Sequence, residues 1–140
     1  MTPVLLDTGC IVALLDRSER NHRKVAEAVA SSEAQLVTCE AVIAEACYLL
    51  RGLRGAAADV LANVERGVFQ IPFRLDGSCP EVRRLMRKYA RVPMDLADAC
   101  LVCLAAEMES GRILTLDADF FVYRWQRTRP FEMLLDLSQH

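Results

Sequence analysis

Four carboxylates in this sequence sit where a solvated charge is out of place. Asp7 closes the apolar run Val4-Leu5-Leu6, and Asp117 closes Ile113-Leu114-Thr115-Leu116 in the same way. Glu45 is the only charge between Ala41 and Leu50, and Asp98 is followed by eight uncharged residues, Ala99 to Ala106. Taken singly, each has an ordinary explanation. Asp caps helices and forms turns, and an acidic side chain in a first helical turn is favoured by the macrodipole. Glu45 could reach water from a narrow polar stripe. Taken together, two of them end strands and two lie toward the N-terminal halves of helices, so all four can converge on one mouth. Packed like charges raise one another's pKa values, and a divalent cation relieves that repulsion. An oxygen donor set without Cys or His suits Mg²⁺ or Mn²⁺. Such an ion acidifies water and stabilises an in-line phosphoryl displacement.

Positioning these groups requires alternating strands and helices, and the chain reads that way. Strands are expected at 4–6, 35–38, 68–73 and 112–116, with a fifth at 131–137. Helices are expected at 10–15, 21–30, 40–50, 56–65, from 78 to about 90, and from 95 to near 111. Ser78-Cys79-Pro80-Glu81 carries the S-x-x-E capping pattern with proline in the first turn. Asp95 suits the N-cap of the helix that carries Asp98. The apolar run around Glu45 predicts a helix buried on all sides, with a costly carboxylate inside it. Short, continuously apolar strands suit a parallel sheet covered on both faces. The expected architecture is one α/β three-layer domain over residues 1–140, with function gathered at the carboxyl ends of the strands.

Composition narrows the function. The 140 residues are 53% hydrophobic and 26% charged, a globular balance. No apolar run reaches the ~18 residues of a membrane span. Met1-Thr2-Pro3 opens no charged leader followed by a long apolar stretch, so no secretion signal is expected. Six cysteines lie mostly in apolar runs and read as small buried hydrophobes of a reducing, cytoplasmic compartment. Cys100 and Cys103 form a lone C-x-x-C pair, and only His22 and His140 could add nitrogen ligands, so zinc is rejected.

At the acidic residues the chain resembles the PIN domain family, and within it the VapC-type toxin nucleases. The segments LLDTGCIVALLDR, VIAEACYLL, MDLADACLVCLA and ILTLDADF carry the resemblance, in the family's order and spacing and over essentially the whole chain. The family's four acidic positions fall on Asp7, Glu45, Asp98 and Asp117. The resemblance implies a catalytic set of these four, with Asp7, Asp98 and Asp117 holding the metal. Thr8 and Thr115 match polar positions beside the acidic pocket, and Asp95 and Asp119 rank as auxiliary. Many relatives have serine where this chain has Gly9, which removes one hydroxyl but no carboxylate. The implied protein is a Mg²⁺- or Mn²⁺-dependent endoribonuclease, the toxin of a toxin–antitoxin pair. It would form a homodimer and be held in check by a small cognate antitoxin.

The net charge is −2, so RNA contact needs local patches. The 17 basic residues are almost all arginine, the better fork for phosphate oxygens. Arg83, Arg84, Arg87, Lys88 and Arg91 share one helix face, and Arg124, Arg127 and Arg129 form a second cluster. Arg83, Arg84, Arg87, Lys88, Arg124 and Arg127 are the expected substrate contacts, although a solvated helix face explains the first cluster equally well. His22 reads as a surface histidine. No Walker A or G-x-G-x-x-G pattern is present. A haloacid-dehalogenase-type phosphatase would want a second Asp where Gly9 stands, and two scattered histidines make a poor acid–base pair for a metal-free ribonuclease. The competing functions are a PIN-type nuclease with a housekeeping role on RNA or DNA, and a non-catalytic acidic pocket that binds a partner.

Overall fold

Strand β1 (Pro3–Leu6) runs through the middle of the molecule, and Val4, Leu5 and Leu6 have no exposed surface. A strand covered on both faces belongs inside a parallel sheet. The computed structural model, which describes residues 2–33 and 35–137, has that sheet. β2 (Gln35–Val37), β3 (Phe69–Gln70), β4 (Arg112–Leu114) and β7 (Glu132–Met133) join β1 in the order β3-β2-β1-β4-β7, every pairing parallel. Val4 pairs with Leu36, and Leu5 with Ile113.

Six α-helices supply the crossovers among the described residues: α1 (Thr8–Leu15), α2 (His22–Ser31), α3 (Glu40–Leu49), α4 (Ala56–Glu65), α5 (Cys79–Lys88) and α6 (Leu96–Met108). α1 packs on α2, α3 and α4, while α6 packs on α3, α5 and β1. The result is the α/β three-layer arrangement around a parallel sheet. α6 is the central helix of this packing, with every residue from Ala97 to Ala105 buried.

Several elements differ from the expected ones for identifiable reasons. α1 starts at Thr8 because Asp7 caps it, its side chain accepting from the Thr8 N–H. β3 is short: it lies at the sheet edge, and Pro72 supplies no N–H for a longer ladder. The capping box at Ser78 does not form. Ser78 Oγ donates instead to Arg74 O at 2.9 Å, and Glu81 turns to Arg84. Pro80 does occupy the first turn of α5. The segment before β7 holds an unexpected antiparallel hairpin, β5 (Arg124–Trp125) and β6 (Arg129–Pro130). Its turn places Gln126 at φ 45° and Arg127 at φ 72°. Gly111 lies flat against it: a Cβ there would meet Trp125 Nε1 at 2.1 Å, and that Nε1–H donates to Pro130 O at 3.0 Å.

The six cysteines are free thiols; four are buried, Cys47 is half-buried and Cys79 is exposed. His22 is half-buried, and its Nδ1–H donates to Ala13 O at 2.7 Å, tying α2 to α1. His140 lies outside the described residues.

Candidate active site

Asp7 and Asp117 reach the site from neighbouring strands. β1 and β4 lie side by side where the strand order reverses, and at such a switch point an open parallel sheet leaves a crevice at its carboxyl edge. The Asp7 N–H extends the ladder by donating to Leu114 O at 3.0 Å. Its carboxylate accepts from the Thr8 N–H at 2.8 Å through Oδ1 and from the Thr115 hydroxyl at 2.6 Å through Oδ2. Thr115 Oγ1 in turn accepts from the Asp117 N–H at 3.0 Å, so one threonine ties both strand ends. Asp117 Oδ1 accepts from the Asp119 N–H at 2.9 Å, which opens the 3₁₀ turn Ala118–Phe121.

Asp98 comes from the first turn of α6. Asp95 caps that helix by accepting the Asp98 N–H at 2.9 Å. The Asp98 carboxylate accepts from the Tyr123 hydroxyl at 2.9 Å. One oxygen from each of Asp7, Asp98 and Asp117 lies within 4.8 Å of the other two. The three share a cleft of about 410 Å³ with Glu45, Asp95, Thr8, Gly9, Leu49 and Leu116. No cationic side chain lines that cleft, and none of the three forms an ion pair among the described residues.

Burial without a counter-charge is visible in the acid strengths. Asp7 is 6% exposed, and burial pushes its carboxyl up to about 6 against the opposing Thr115 and Thr8 hydrogen bonds. Burial likewise pushes Asp98 up to about 7, despite the Tyr123 bond, with the Asp95, Asp7 and Asp117 charges adding to it. Burial, and then the Asp98 carboxylate, push the Tyr123 hydroxyl well above its ordinary value, so it remains a donor. Thr8 Oγ1 is buried with no hydrogen-bond partner. An acidic pocket of oxygen donors, short of positive charge and holding an orphaned hydroxyl, fits a hard divalent cation.

Glu45 departs from the expected burial. It lines the cleft, yet it is exposed and outside the close cluster. α3 is not buried on all sides: Tyr48 is 61% and Leu49 54% exposed, so Glu45 stands at the edge of an uncovered apolar face. Asp95 lines the cleft, whereas Asp119 stays on the 3₁₀ turn, its carboxyl raised by burial and by Asp117. Gly9 lines it too, and a Cβ there would make ordinary contact with Leu116 at 3.7 Å, so a serine would fit.

The basic residues lie away from the cleft lining. Arg84 is paired with Glu81 at 2.6 Å, and Arg124 Nη1 donates to the carbonyls of Phe121, Val122 and Tyr123. Both are engaged in holding the fold. Arg83, Arg87, Lys88, Arg91, Arg127 and Arg129 are exposed. Arg84, then Arg127 and Lys88, hold the Glu81 carboxyl below its usual range. Sequence reasoning passed over Tyr123, because a tyrosine inside Phe120-Phe121-Val122-Tyr123 reads as core.

This switch-point sheet, with carboxylates at the ends of β1 and β4 and on α6, is a PIN domain: the family model matches residues 4–125, and the chain belongs to that family. The chain is also 31% identical over 120 residues to Ribonuclease VapC26 of Mycobacterium tuberculosis (strain ATCC 25618 / H37Rv). That alignment covers 84% of this chain and 89% of the relative.

Proposed function

We propose that this chain is a divalent-metal-dependent endoribonuclease that hydrolyses RNA phosphodiester bonds, and that it is the toxin of a toxin–antitoxin pair. Membership of the PIN family and the VapC ribonuclease relative support the nuclease reading. The observation that carries the metal dependence is the uncompensated cluster of buried Asp7 and Asp98 with half-buried Asp117. These three would hold Mg²⁺ or Mn²⁺. A bound divalent cation supplies an acidified water and charge stabilisation at the scissile phosphate.

The chain's own residues do the rest. Thr115 and the Thr8 N–H orient Asp7, Asp95 sets the first turn of α6 under Asp98, and the Asp119 N–H holds Asp117. Glu45, an exposed residue of the cleft lining, would accept a proton from an attacking water. Arg83, Arg87, Lys88 and Arg127 form the exposed basic ground for the RNA backbone. The uncovered apolar residues Tyr48, Leu49, Leu53 and Leu61 support association with a second copy or with a small cognate antitoxin. No helix among the described residues is long and apolar enough to cross a membrane.

The test is cleavage of total RNA by the purified chain in Mg²⁺ or Mn²⁺, in parallel with chelator and with single-stranded DNA. Internal cuts in RNA that vanish in chelator support the reading. Cleavage that persists in chelator removes the metal, and preference for DNA removes the RNA toxin in favour of another PIN-type nuclease.

A further inference from the structure

Tyr123 heads the fully buried side chains by size. Its ring is held edge-on by Tyr89, with centroids 5.1 Å apart at 69°, and by Phe120, at 5.0 Å and 86°. Tyr89 is itself anchored, its hydroxyl accepting the Arg124 N–H at 3.0 Å. A phenylalanine would satisfy all of this ring packing. What the hydroxyl adds is one bond of 2.9 Å, donated to Asp98 Oδ2 across 25 residues of sequence. A buried hydroxyl needs a partner, and here the partner is a carboxylate of the cleft, not a main-chain carbonyl.

Asp95 fixes the backbone of Asp98 but not its carboxylate. The last torsion of an aspartate is broad, with two roughly equivalent wells. Donation to one named oxygen narrows it. Thr115 acts in the same way on Asp7, and the Asp119 N–H on Asp117. Each member of the cluster thus has an oxygen tied by a protein donor.

We infer that Tyr123 is a positioning residue whose hydroxyl fixes the rotation of the Asp98 carboxylate, so that Asp98 meets a divalent cation together with Asp7 and Asp117. This rests on the metal-nuclease reading above. Hydrogen-bond partners of metal ligands are worth 10–100-fold in metal affinity or activity, and that range sets the size of the effect.

The experiment is an Mn²⁺ titration of wild type, Tyr123→Phe and Phe120→Leu, read from the paramagnetic resonance signal of the free ion. RNA cleavage is followed across the same Mn²⁺ range. Tyr123→Phe weakens Mn²⁺ binding by roughly 10–100-fold. It raises the Mn²⁺ concentration for half-maximal cleavage, and most of the rate returns at saturating metal. Phe120→Leu disturbs the same aromatic packing without touching a hydroxyl, and it leaves Mn²⁺ affinity within about twofold of wild type. Unchanged Mn²⁺ affinity in Tyr123→Phe overturns the inference while leaving the nuclease reading intact. So does an equal loss in Phe120→Leu, or a Tyr123→Phe chain that does not fold, since either makes the role one of packing. Absence of Mn²⁺ binding in wild type removes the metal reading itself and the inference with it.

Discussion

Helices α3 and α6 look alike in sequence and have opposite environments. Each is an apolar run interrupted by a carboxylate, Glu45 in one and Asp98 in the other. α6 is enclosed by α3, α5 and β1, and Asp98 is 8% exposed. α3 is covered on one side by α1, α4 and α6, and leaves Ala44, Glu45, Tyr48 and Leu49 to solvent. An apolar sequence therefore states that a surface avoids water, without stating whether its cover belongs to the same chain. The difference also separates two kinds of acid: one inside the low-dielectric core, where removing a charge has large consequences, and one at its rim.

The sharpest way to break that contrast is to neutralise Asp98. Asp98→Asn keeps the shape and removes one of the clustered charges. Losses of ligand-orienting partners cost 10–100-fold, so loss of Asp98 itself should lower Mg²⁺-dependent RNA cleavage by more than ~10²-fold. The melting temperature in chelator should stay level or rise, because a repulsive buried charge has gone. A carboxylate serving the fold through a buried ion pair would instead cost ~3–5 kcal/mol on removal. A large fall in melting temperature with cleavage retained would return Asp98 to a structural role.

A second comparison removes leucines from the two helices. Leu104 in α6 has no exposed surface, and its replacement by alanine should cost ~2–5 kcal/mol in denaturant unfolding. Leu49→Ala in α3 should cost less than ~0.5 kcal/mol within a single chain. If that face joins two copies, light scattering of Leu49→Ala should also show a lower mass than wild type. A Leu49 cost as large as the Leu104 cost, at concentrations where the protein is monomeric, would erase the distinction between the helices.

A third expected effect is on the pH dependence of stability. In the unfolded chain Asp7 and Asp98 ionise near pH 3.8, whereas in the folded chain they do so near 6 and 7. The unfolded state therefore binds fewer protons than the folded state between those values, and stability falls as pH rises. Their contribution is complete below about pH 4 and is lost as pH passes through about 6 and 7, at up to ~1.4 kcal/mol per pH unit for each group. Melting in chelator should thus show a downward slope from pH 5 to 7.5 that Asp98→Asn flattens. Mg²⁺ should stabilise more at pH 7.5 than at pH 5, because its ligands must be deprotonated. A chelator melt that rises over this interval, unaltered by Asp98→Asn, would contradict the assignment of these groups.

How much of this was legible in the sequence follows from the same physics. The strands around Val4-Leu5-Leu6 and Ile113-Leu114 were, because two-sided burial demands an unbroken apolar run. Asp7, Asp98 and Asp117 stood out as charges in apolar surroundings, and the fold brings them together. The exposure of α3 was not legible, since periodicity cannot say where a cover comes from. The β5–β6 hairpin was hidden by a turn that gives positive φ to Gln126 and Arg127, not to glycine or asparagine. The Ser78 capping pattern lost to competing partners, Arg74 O for the serine and Arg84 for Glu81. Tyr123 was invisible because its hydroxyl's bond to Asp98 crosses 25 residues and leaves no local pattern.

The bond between Thr115 and Asp7 closes the longest loop in the site, 108 residues. Synthesis runs from the N-terminus, at ~5–20 residues per second. Asp7 is therefore made roughly 5 to 20 s before the residues that complete its pocket. β4 must then find β1 across the whole intervening chain, a slow non-local pairing. A fragment that stops before Asp117 lacks one member of the three-carboxylate cluster. For a protein proposed to cut RNA, this ordering would act as a delay timer. On that proposal the nascent polypeptide would leave the messages around it intact until translation has passed Asp117, and a product truncated before that residue never completes the cluster.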